Sequence, residues 1–341
     1  MYDSSLLSGS DAAYVALCSD DLAARLLKPE EISERIRPKS DPFSNFPRVL
    51  ADRLNNRNQA ANERLAGQAD NKGKSETMFL PGFAIGAMPN HLNRSSLGAP
   101  IARGRRKFHC QTTMVSRSDC VLEYTGEQLD EADCDIIMAL LFFAYPHPLG
   151  HYVPLNLSEL LRKIHRGTGK TDYEWVKRRI TALTQSTISL EARRSDGTIK
   201  YRLGWLSKMH VVDTFIYDNA EKTFKFKLDA RWAEMFSNQE FGRIDWGKRM
   251  QIRRGQDMAK TLQRLLATSS DGVQRYQLAW LKKKMQYTSP MRKFRVALMA
   301  AYKELERVEV ICNGCIEKSS KGEMQLTLRL PLRKPAIKRP R

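Results

Sequence analysis

The chain has 341 residues, of which 42% are hydrophobic, and its formal net charge at pH 7 is +19. This length exceeds what one hydrophobic core comfortably serves, so two compact units and a tail are expected. The positive charge indicates a polyanionic partner, with nucleic acid as the first expectation and an anionic membrane surface as the second. No apolar run approaches the roughly 20 residues of a membrane span, and the first residues lack the basic start and apolar centre of a secretory signal. We therefore expect a cytoplasmic protein with no membrane partner.

Both ends of the chain differ from its middle. Residues 1–75 are charged and poor in aromatic side chains, which predicts a loosely ordered N-terminal arm. Residues 76–125 form a lead-in segment with an apolar patch and with a basic cluster, Arg103, Arg105, Arg106 and Lys107, whose cations either contact phosphate or are solvated. Residues 331–341 carry five cations, no acids and three prolines, so they predict a disordered basic tail that adds sequence-independent affinity for phosphates.

Residues 126–246 contain the element order of a winged helix followed by a connector. The order is a buried helix, a short strand, two further helices and a two-stranded wing. The predicted elements are Ala132–Tyr145, Tyr152–Leu155, Leu157–His165, Asp172–Gln185 and the hairpin of STISLEARR with TIKYRLGWL. This first domain is expected to contact DNA and to dimerise.

The same order returns in residues 247–330. The predicted helices and short strand are Asp257–Ala267, Gln274–Tyr276, Gln277–Met285 and Tyr287–Val308, and the wing pairs RVEVICNG with EMQLTLRL. Two copies of one element order are stronger evidence for the fold than either copy alone. The sequence therefore predicts an α+β fold with tandem winged-helix domains, a variant of the helix-turn-helix.

The helix at Tyr287–Val308 shows both a start and two distinct faces. Ser289 is predicted to cap it, with Pro290 at the first helical position. A core-facing set at 3.6-residue spacing comprises Phe294, Ala297, Leu298, Ala301 and Leu305. The opposite face comprises Arg292, Arg295, Val296, Met299 and Lys303. In the helix at Asp172–Gln185, the inward set is Val176, Ile180 and Leu183.

The third helix of each copy is expected to enter a major groove of duplex DNA. The predicted base contacts are Arg178, Thr181, Arg292 and Arg295. The predicted phosphate contacts are Lys170, Lys177, Lys283, Lys284, Lys293 and the tail. The candidate interface also includes Thr171, Ser289 and Met299.

No catalytic, metal or cofactor site emerges from the motifs. Gly167–Thr171 imitates a phosphate loop, but a helix is predicted before it where that loop needs a strand. His147 and His151 lie among prolines and glycine without acidic or cysteine companions. The six cysteines are scattered along the chain, which predicts reduced thiols and no disulfide framework. Asn313–Gly314, inside the lone C-x-x-C sequence, predicts a hairpin turn. We expect a binding protein and not an enzyme.

Several short segments resemble the TrfA family of plasmid replication initiators, across roughly residues 76–330. The matching segments are Ala87–Asn90, Arg94–Ser95, Leu97, Arg105–Lys107, Tyr124–Gly126, Leu129, Asp133, Pro148–Gly150 and Ser158–Leu160. The likeness is carried by segment order more than by any invariant motif.

This resemblance implies an initiator that binds iteron repeats in a plasmid origin as double-stranded DNA, forms dimers, promotes origin melting and recruits the host helicase. Relatives bind the host sliding clamp through a short motif upstream of the segment that resembles Ala87–Asn90. The nearest candidate here is Glu76, Met78, Phe79 and Leu80, with glutamate in place of the motif's glutamine.

Two other functions remain open from the residues alone. A winged-helix transcriptional repressor that regulates plasmid genes needs the same groove chemistry, so composition does not separate it from an initiator. A nickase or primase would need metal or nucleotide motifs, and the sequence offers none of them.

Overall fold

The computed structural model describes residues 78–80, 85–101, 106–194, 196–236 and 240–331. The predicted arm, Glu76, Arg103, Arg105 and the tail beyond residue 331 lie outside the described residues. The first half of the described chain contains β1 (Ala87–Pro89), α1 (Asn90–Arg94), β2 (Phe108–Met114), β3 (Cys120–Glu127), α2 (Glu131–Ala144), β4 (Val153–Leu155), α3 (Leu157–Lys163), α4 (Lys170–Thr184), β5 (Thr187–Arg193), β6 (Ile199–Leu203), β7 (Met209–His210), β8 (Thr214–Asp218) and β9 (Thr223–Lys227).

The second half begins with two short helices around a short strand and continues into the predicted second copy. Its elements are α5 (Trp232–Phe236), β10 (Phe241–Arg243), α6 (Trp246–Gln251), α7 (Asp257–Leu266), β11 (Val273–Gln277), α8 (Leu278–Lys284), α9 (Met291–Arg307), β12 (Asn313–Lys318) and β13 (Met324–Arg329). Within the described residues the fold is thus a mixture of helices and antiparallel sheets.

Two hydrophobic cores organise these elements. The first core runs from Leu80 to Ile244 and centres on α2, whose side chains are almost all buried. The second core runs from Ile252 to Leu328 and gathers α7, α8 and α9. Strands β2 and β3, from the predicted lead-in segment, share the first core and lie in a five-stranded sheet of order β2-β3-β5-β6 with β7 on β5. The predicted domain bounds stay predictions.

The pairing of the short strand β4 corrects the choice of hairpin in the first predicted winged helix. The hairpin of β5 and β6 exists as predicted, but it pairs with β3 and not with β4. Strand β4 instead pairs with β9, which pairs with β8, so residues placed in the connector complete this sheet. The reason is burial, because Val153 and Leu155 face the same side of the sheet as the fully buried Phe226 opposite Val153.

The second copy shows the same sheet order. Strand β11 pairs with β13, and β13 pairs with β12, so β11-β13-β12 matches β4-β9-β8 element by element. In both copies, the short strand lies beside the last strand of the hairpin, and two helices separate the short strand from the hairpin in sequence. Copy one carries β5, β6 and β7 between its third helix and its hairpin.

A buried ion cluster joins the two cores. It consists of Glu131 and Asp135 on α2, Arg249 on α6, and Lys260 and Arg264 on α7. Glu131 accepts from Arg249 and Arg264, each at 2.7 Å, and none of these three side chains has exposed surface. Asp135 accepts from Arg249 at 2.5 Å and from Lys260 at 2.6 Å. Burial by itself would raise the pKa of Glu131, but the two arginines outweigh it and lower that pKa to about 2.

A second connection runs through the segment that starts at the Met-Pro-Asn sequence. Strand β1 pairs with β10, and α1 follows it directly. Arg94 on α1 donates to Asp119 at 2.9 Å and to the carbonyl of Thr268 at 3.1 Å. The described residues accordingly belong to one compact unit. No helix in the described ranges is long and apolar enough to cross a lipid bilayer.

Candidate nucleic-acid interface

Helix α9 has the two faces that its sequence predicts. Phe294, Leu298, Ala301 and Leu305 have no exposed surface and pack in the second core. The start of the helix differs from the prediction, because Pro290 is the N-cap residue, with an extended ψ of 154°, and no side chain caps the helix. The predicted cap by Ser289 is therefore wrong.

The exposed face of α9 carries a straight stripe of four side chains. Arg292, Val296, Met299 and Lys303 follow one another at spacings of four, three and four residues, which places them along one line of a helix. All four are exposed, and the first turn of the helix contains no acid. We call this set the α9 stripe. Arg295 and Lys293 are exposed on either side of it.

Helix α4 presents a second cationic face. Val176, Ile180 and Leu183 are fully buried, as predicted. The exposed side chains on the opposite face of the helix include Lys170, Thr171, Glu174, Lys177, Arg178 and Thr181. The preceding element is the helix α3, so the phosphate-loop imitation at Gly167–Thr171 lacks the strand that such a loop requires.

Two cations beside α4 lie over aromatic rings. The guanidinium of Arg166 is 3.5 Å from the ring centroid of Trp175, and the ammonium of Lys177 is 5.1 Å from that of Phe224 on β9. Such contacts hold the cations in place. Arg166 also forms an ion pair with Asp172 at 3.8 Å, whereas the ring beside Lys177 leaves the charge of that lysine in place. The hairpin β8–β9 thus lies against the exposed edge of α4.

The turns of the two hairpins add cations that sequence reasoning missed. Lys222 lies in the turn between β8 and β9, and Lys321 lies in the turn between β12 and β13. Both are exposed. A lysine at a hairpin tip is recognisable only once the strands are correctly paired, and the pairing of β8 with β9 and β4 was not predicted.

Lys284 does not belong to the interface. Its side chain is fully buried, and its Nζ donates to the carbonyl of Ser95 at 2.6 Å. Burial, together with the nearby charge of Arg264, lowers its pKa to about 7. A side chain with no exposed surface does not reach a phosphate, so the predicted phosphate contact is wrong. The neighbouring Lys283 is exposed.

Arg106 and the Asn313–Gly314 pair have structural roles. Arg106, from the basic cluster left open above, donates to Asp133 at 2.7 Å and to Asp130, so it anchors the start of α2. Asn313 and Gly314 begin the strand β12, so the hairpin turn predicted there is wrong. Among the described residues, no group of three or more His, Cys, Asp or Glu side chains is placed to hold a metal ion.

The candidate clamp segment is only partly accessible. Met78 and Phe79 are about half exposed, whereas Leu80 is buried in the first core. The carbonyl of Met78 accepts from the N–H of Leu149 at 2.8 Å, and Phe79 bridges to Pro148. Clamp binding by these residues stays a prediction, as do the DNA contacts of the exposed candidates.

Comparisons with known proteins show a similarity in fold to solved structures. No protein-family model and no curated protein matches the chain. A solved structure of domains 2 and 3 of RctB, a selenomethionine derivative, is similar with a TM-score of 0.51 at 11% identity, over 71% of this chain and 98% of that chain. Another structure of the same domains reaches a TM-score of 0.42 at 10% identity, over 71% and 97% of the two chains. At this identity, the likeness concerns the fold alone.

Proposed function

We propose that this protein is a replication initiator that binds duplex DNA at an origin through two winged-helix domains. The observation that carries the proposal is the repeat of one sheet order, β4-β9-β8 and β11-β13-β12, each next to a third helix with an exposed cationic face. The fold likeness to RctB, itself a replication initiator, supports it.

In this proposal the two third helices read bases and the hairpins grip phosphates. Arg178 and Thr181 on α4, and Arg292 and Arg295 on α9, take base edges in successive major-groove segments. Lys170, Lys177, Lys283 and Lys293, with the hairpin lysines Lys222 and Lys321, take phosphates. The net charge of +19 supplies the sequence-independent part of the affinity.

The finer properties come from the resemblance to the TrfA family. They are iteron repeats as the binding site, dimerisation, melting of the origin, recruitment of the host helicase and contact with the sliding clamp through Met78 and Phe79. The protein acts without nucleotide chemistry of its own. We also propose that it does not cleave DNA. Supercoiled origin DNA incubated with the protein and Mg²⁺ should therefore stay unnicked, and a nick would contradict the absence of cleavage.

A repressor built on the same domains is the alternative, because its groove chemistry would be identical. A gel-shift titration with DNA from the flanks of the gene, with random competitor and at two salt concentrations, separates the two. A ladder of discrete complexes on direct repeats supports the initiator. A single complex on a palindrome near a promoter favours the repressor, and a smear that disappears with salt contradicts specific binding altogether.

A further inference from the structure

The middle of the α9 stripe is apolar although it is exposed. Val296 is 66% exposed and Met299 is 40% exposed, between the cations Arg292 and Lys303. Single exposed apolar side chains are common on protein surfaces. Two of them in the centre of the cationic face of one helix are a specific arrangement, because a face that serves only solubility or only phosphates has no use for them.

The spacing of the two side chains along the helix is of the same order as the spacing of stacked base pairs. Three residues of an α-helix span about 4.5 Å along its axis. Consecutive base pairs of B-DNA are about 3.4 Å apart. A helix that lies in the major groove with its stripe toward the bases therefore brings Val296 and Met299 to neighbouring base pairs.

The major groove offers one apolar group on its floor, the C5-methyl of thymine. A protein partner with an apolar groove would be the other conceivable occupant of the stripe. The flanking Arg292, Arg295 and Lys303, and the lack of an acid in the first turn of α9, favour a polyanion over such a protein. The charge around the apolar pair and its spacing thus point to the same occupant.

We propose that Val296 and Met299 read thymine methyl groups on neighbouring base pairs, so that the DNA site carries A·T pairs at this position. This proposal rests on the proposed function and deepens it. It names which bases α9 selects, whereas the arginines on the same helix are suited to guanine.

Deoxyuridine tests this directly, because it pairs like thymine and lacks only the methyl group. The probe is the flanking duplex retained in the gel shift, with each thymine replaced in turn by deoxyuridine. For the wild-type chain, one or two neighbouring replacements should weaken binding by about threefold to tenfold, as expected for one buried methyl group. Val296→Ala should bind the thymine probe as weakly as the wild type binds the deoxyuridine probe, and should not discriminate between the two.

The matched control is Ile199→Ala, which removes a similar side chain that is 40% exposed on β6. It should retain the full thymine preference. Val296→Thr, which keeps one methyl group at the same branch point, should retain part of the preference. Circular dichroism and the melting temperature check that each variant is folded.

Two results would overturn the proposal, and they are distinguishable. If Val296→Ala and Met299→Ala lose the same affinity on thymine and deoxyuridine probes, the apolar pair does not read methyl groups, while specific duplex binding still stands. If no flanking duplex is retained specifically at all, the proposed function fails first and the methyl contact fails with it.

Discussion

Arg292 and Lys293 are neighbours on α9 that face different directions. Successive residues of a helix are turned by about 100°, so Arg292 lies in the α9 stripe and Lys293 lies at its side. Arg292→Ala should cost about 1 to 3 kcal/mol at one base pair of the site and relax the preference there. Lys293→Ala should weaken binding on all sequences about equally, since a phosphate carries no sequence information.

Quantitative gel shifts on the site and on single-base variants of it measure both effects. Each variant is the control for the other, because both remove one exposed cation from the same turn. A uniform loss for Arg292→Ala would mean that Arg292 contacts only phosphate.

Lys284 gives a prediction about stability and not about binding. Its pKa falls from 10.5 to about 7 in the folded chain because it is buried, so folding disfavours the protonated side chain. The folded state therefore gains stability as pH rises from about 7 toward 10.5, and below about pH 7 the full cost of burying the charge is present and no longer changes with pH. Lys284→Met removes this charge, and the melting temperature of the variant relative to wild type should be highest near pH 6 and fall steadily toward pH 9.

Lys283→Met is the matched control, since the adjacent Lys283 is exposed. Its melting temperature should follow that of the wild type at every pH. If the difference in melting temperature between Lys284→Met and the wild type stays constant from pH 6 to pH 9, the burial of the Lys284 charge has no effect on stability.

At the scale of single elements, periodicity predicted the helices well and strand pairing poorly. The third helices, predicted at 172–185 and 287–308, were found at Lys170–Thr184 and Met291–Arg307, because an apolar face of 3.6-residue period is a local property of the sequence. Partners of a strand are set by tertiary contacts, which explains why the sequence predicts only a connector at residues 207–246, where β8 and β9 lie.

Asn313–Gly314 illustrates how a strong local pattern misleads. A Cβ atom on Gly314 would lie 2.8 Å from the ring of Tyr302 and 3.0 Å from Leu328, so this glycine allows the strand β12 to approach the helix α9. The actual turn contains Gly322, whose φ of +80° suits glycine. The same residue pair can thus serve close packing instead of a turn.

The hairpin tips should contribute affinity without specificity. Lys222→Ala and Lys321→Ala each remove one cation from a tip, so each should lower the slope of log K against log salt by about 1 and weaken binding equally on all sequences. Titrations at four salt concentrations measure the slope. Lys208→Ala, an exposed lysine outside both hairpins, should leave the slope unchanged. A change in sequence preference in either tip variant would contradict this role.

At the scale of the whole molecule, the buried ion cluster links the two cores. Glu131→Gln removes the carboxylate that pairs with Arg249 and Arg264, at a place where none of the three side chains has exposed surface. Breaking a buried pair in this way costs about 3 to 5 kcal/mol of unfolding free energy. Urea unfolding at pH 7 measures it, with Glu221→Gln as the exposed control, which should change little.

The pH dependence of that loss follows from the lowered pKa. Glu131 has a pKa of about 2 in the folded chain against 4.5 ordinarily, so its stabilisation is complete above about pH 4.5 and is lost as pH falls toward 2. The gap between wild type and Glu131→Gln should close over that range. A gap that is already absent at pH 7 would mean that the cluster does not hold the cores together.

Part of the candidate interface was predictable from the sequence. The exposed positions on α4 and α9 follow from helical spacing, and the cations predicted on these two helices are exposed, as is Lys283 on α8, whereas Lys284 on α8 is buried. Lys284 follows Leu281 by three residues and so shares its buried face, a local sign of burial within the run of three lysines. The ion cluster was not predictable, because its members are more than 100 residues apart and meet only in the folded chain.

The ion cluster also has a geometric consequence for any duplex that both third helices contact. Separating these buried pairs would leave uncompensated charges in the interior at a high cost in free energy, so the cluster holds α2, α6 and α7 together. Under the proposed function, the protein itself then sets the number of base pairs between the two segments it reads. One inserted base pair would turn the second segment by about a tenth of a helical turn, away from α9. Under that function, the phasing of the DNA site would follow from buried residues that do not contact DNA.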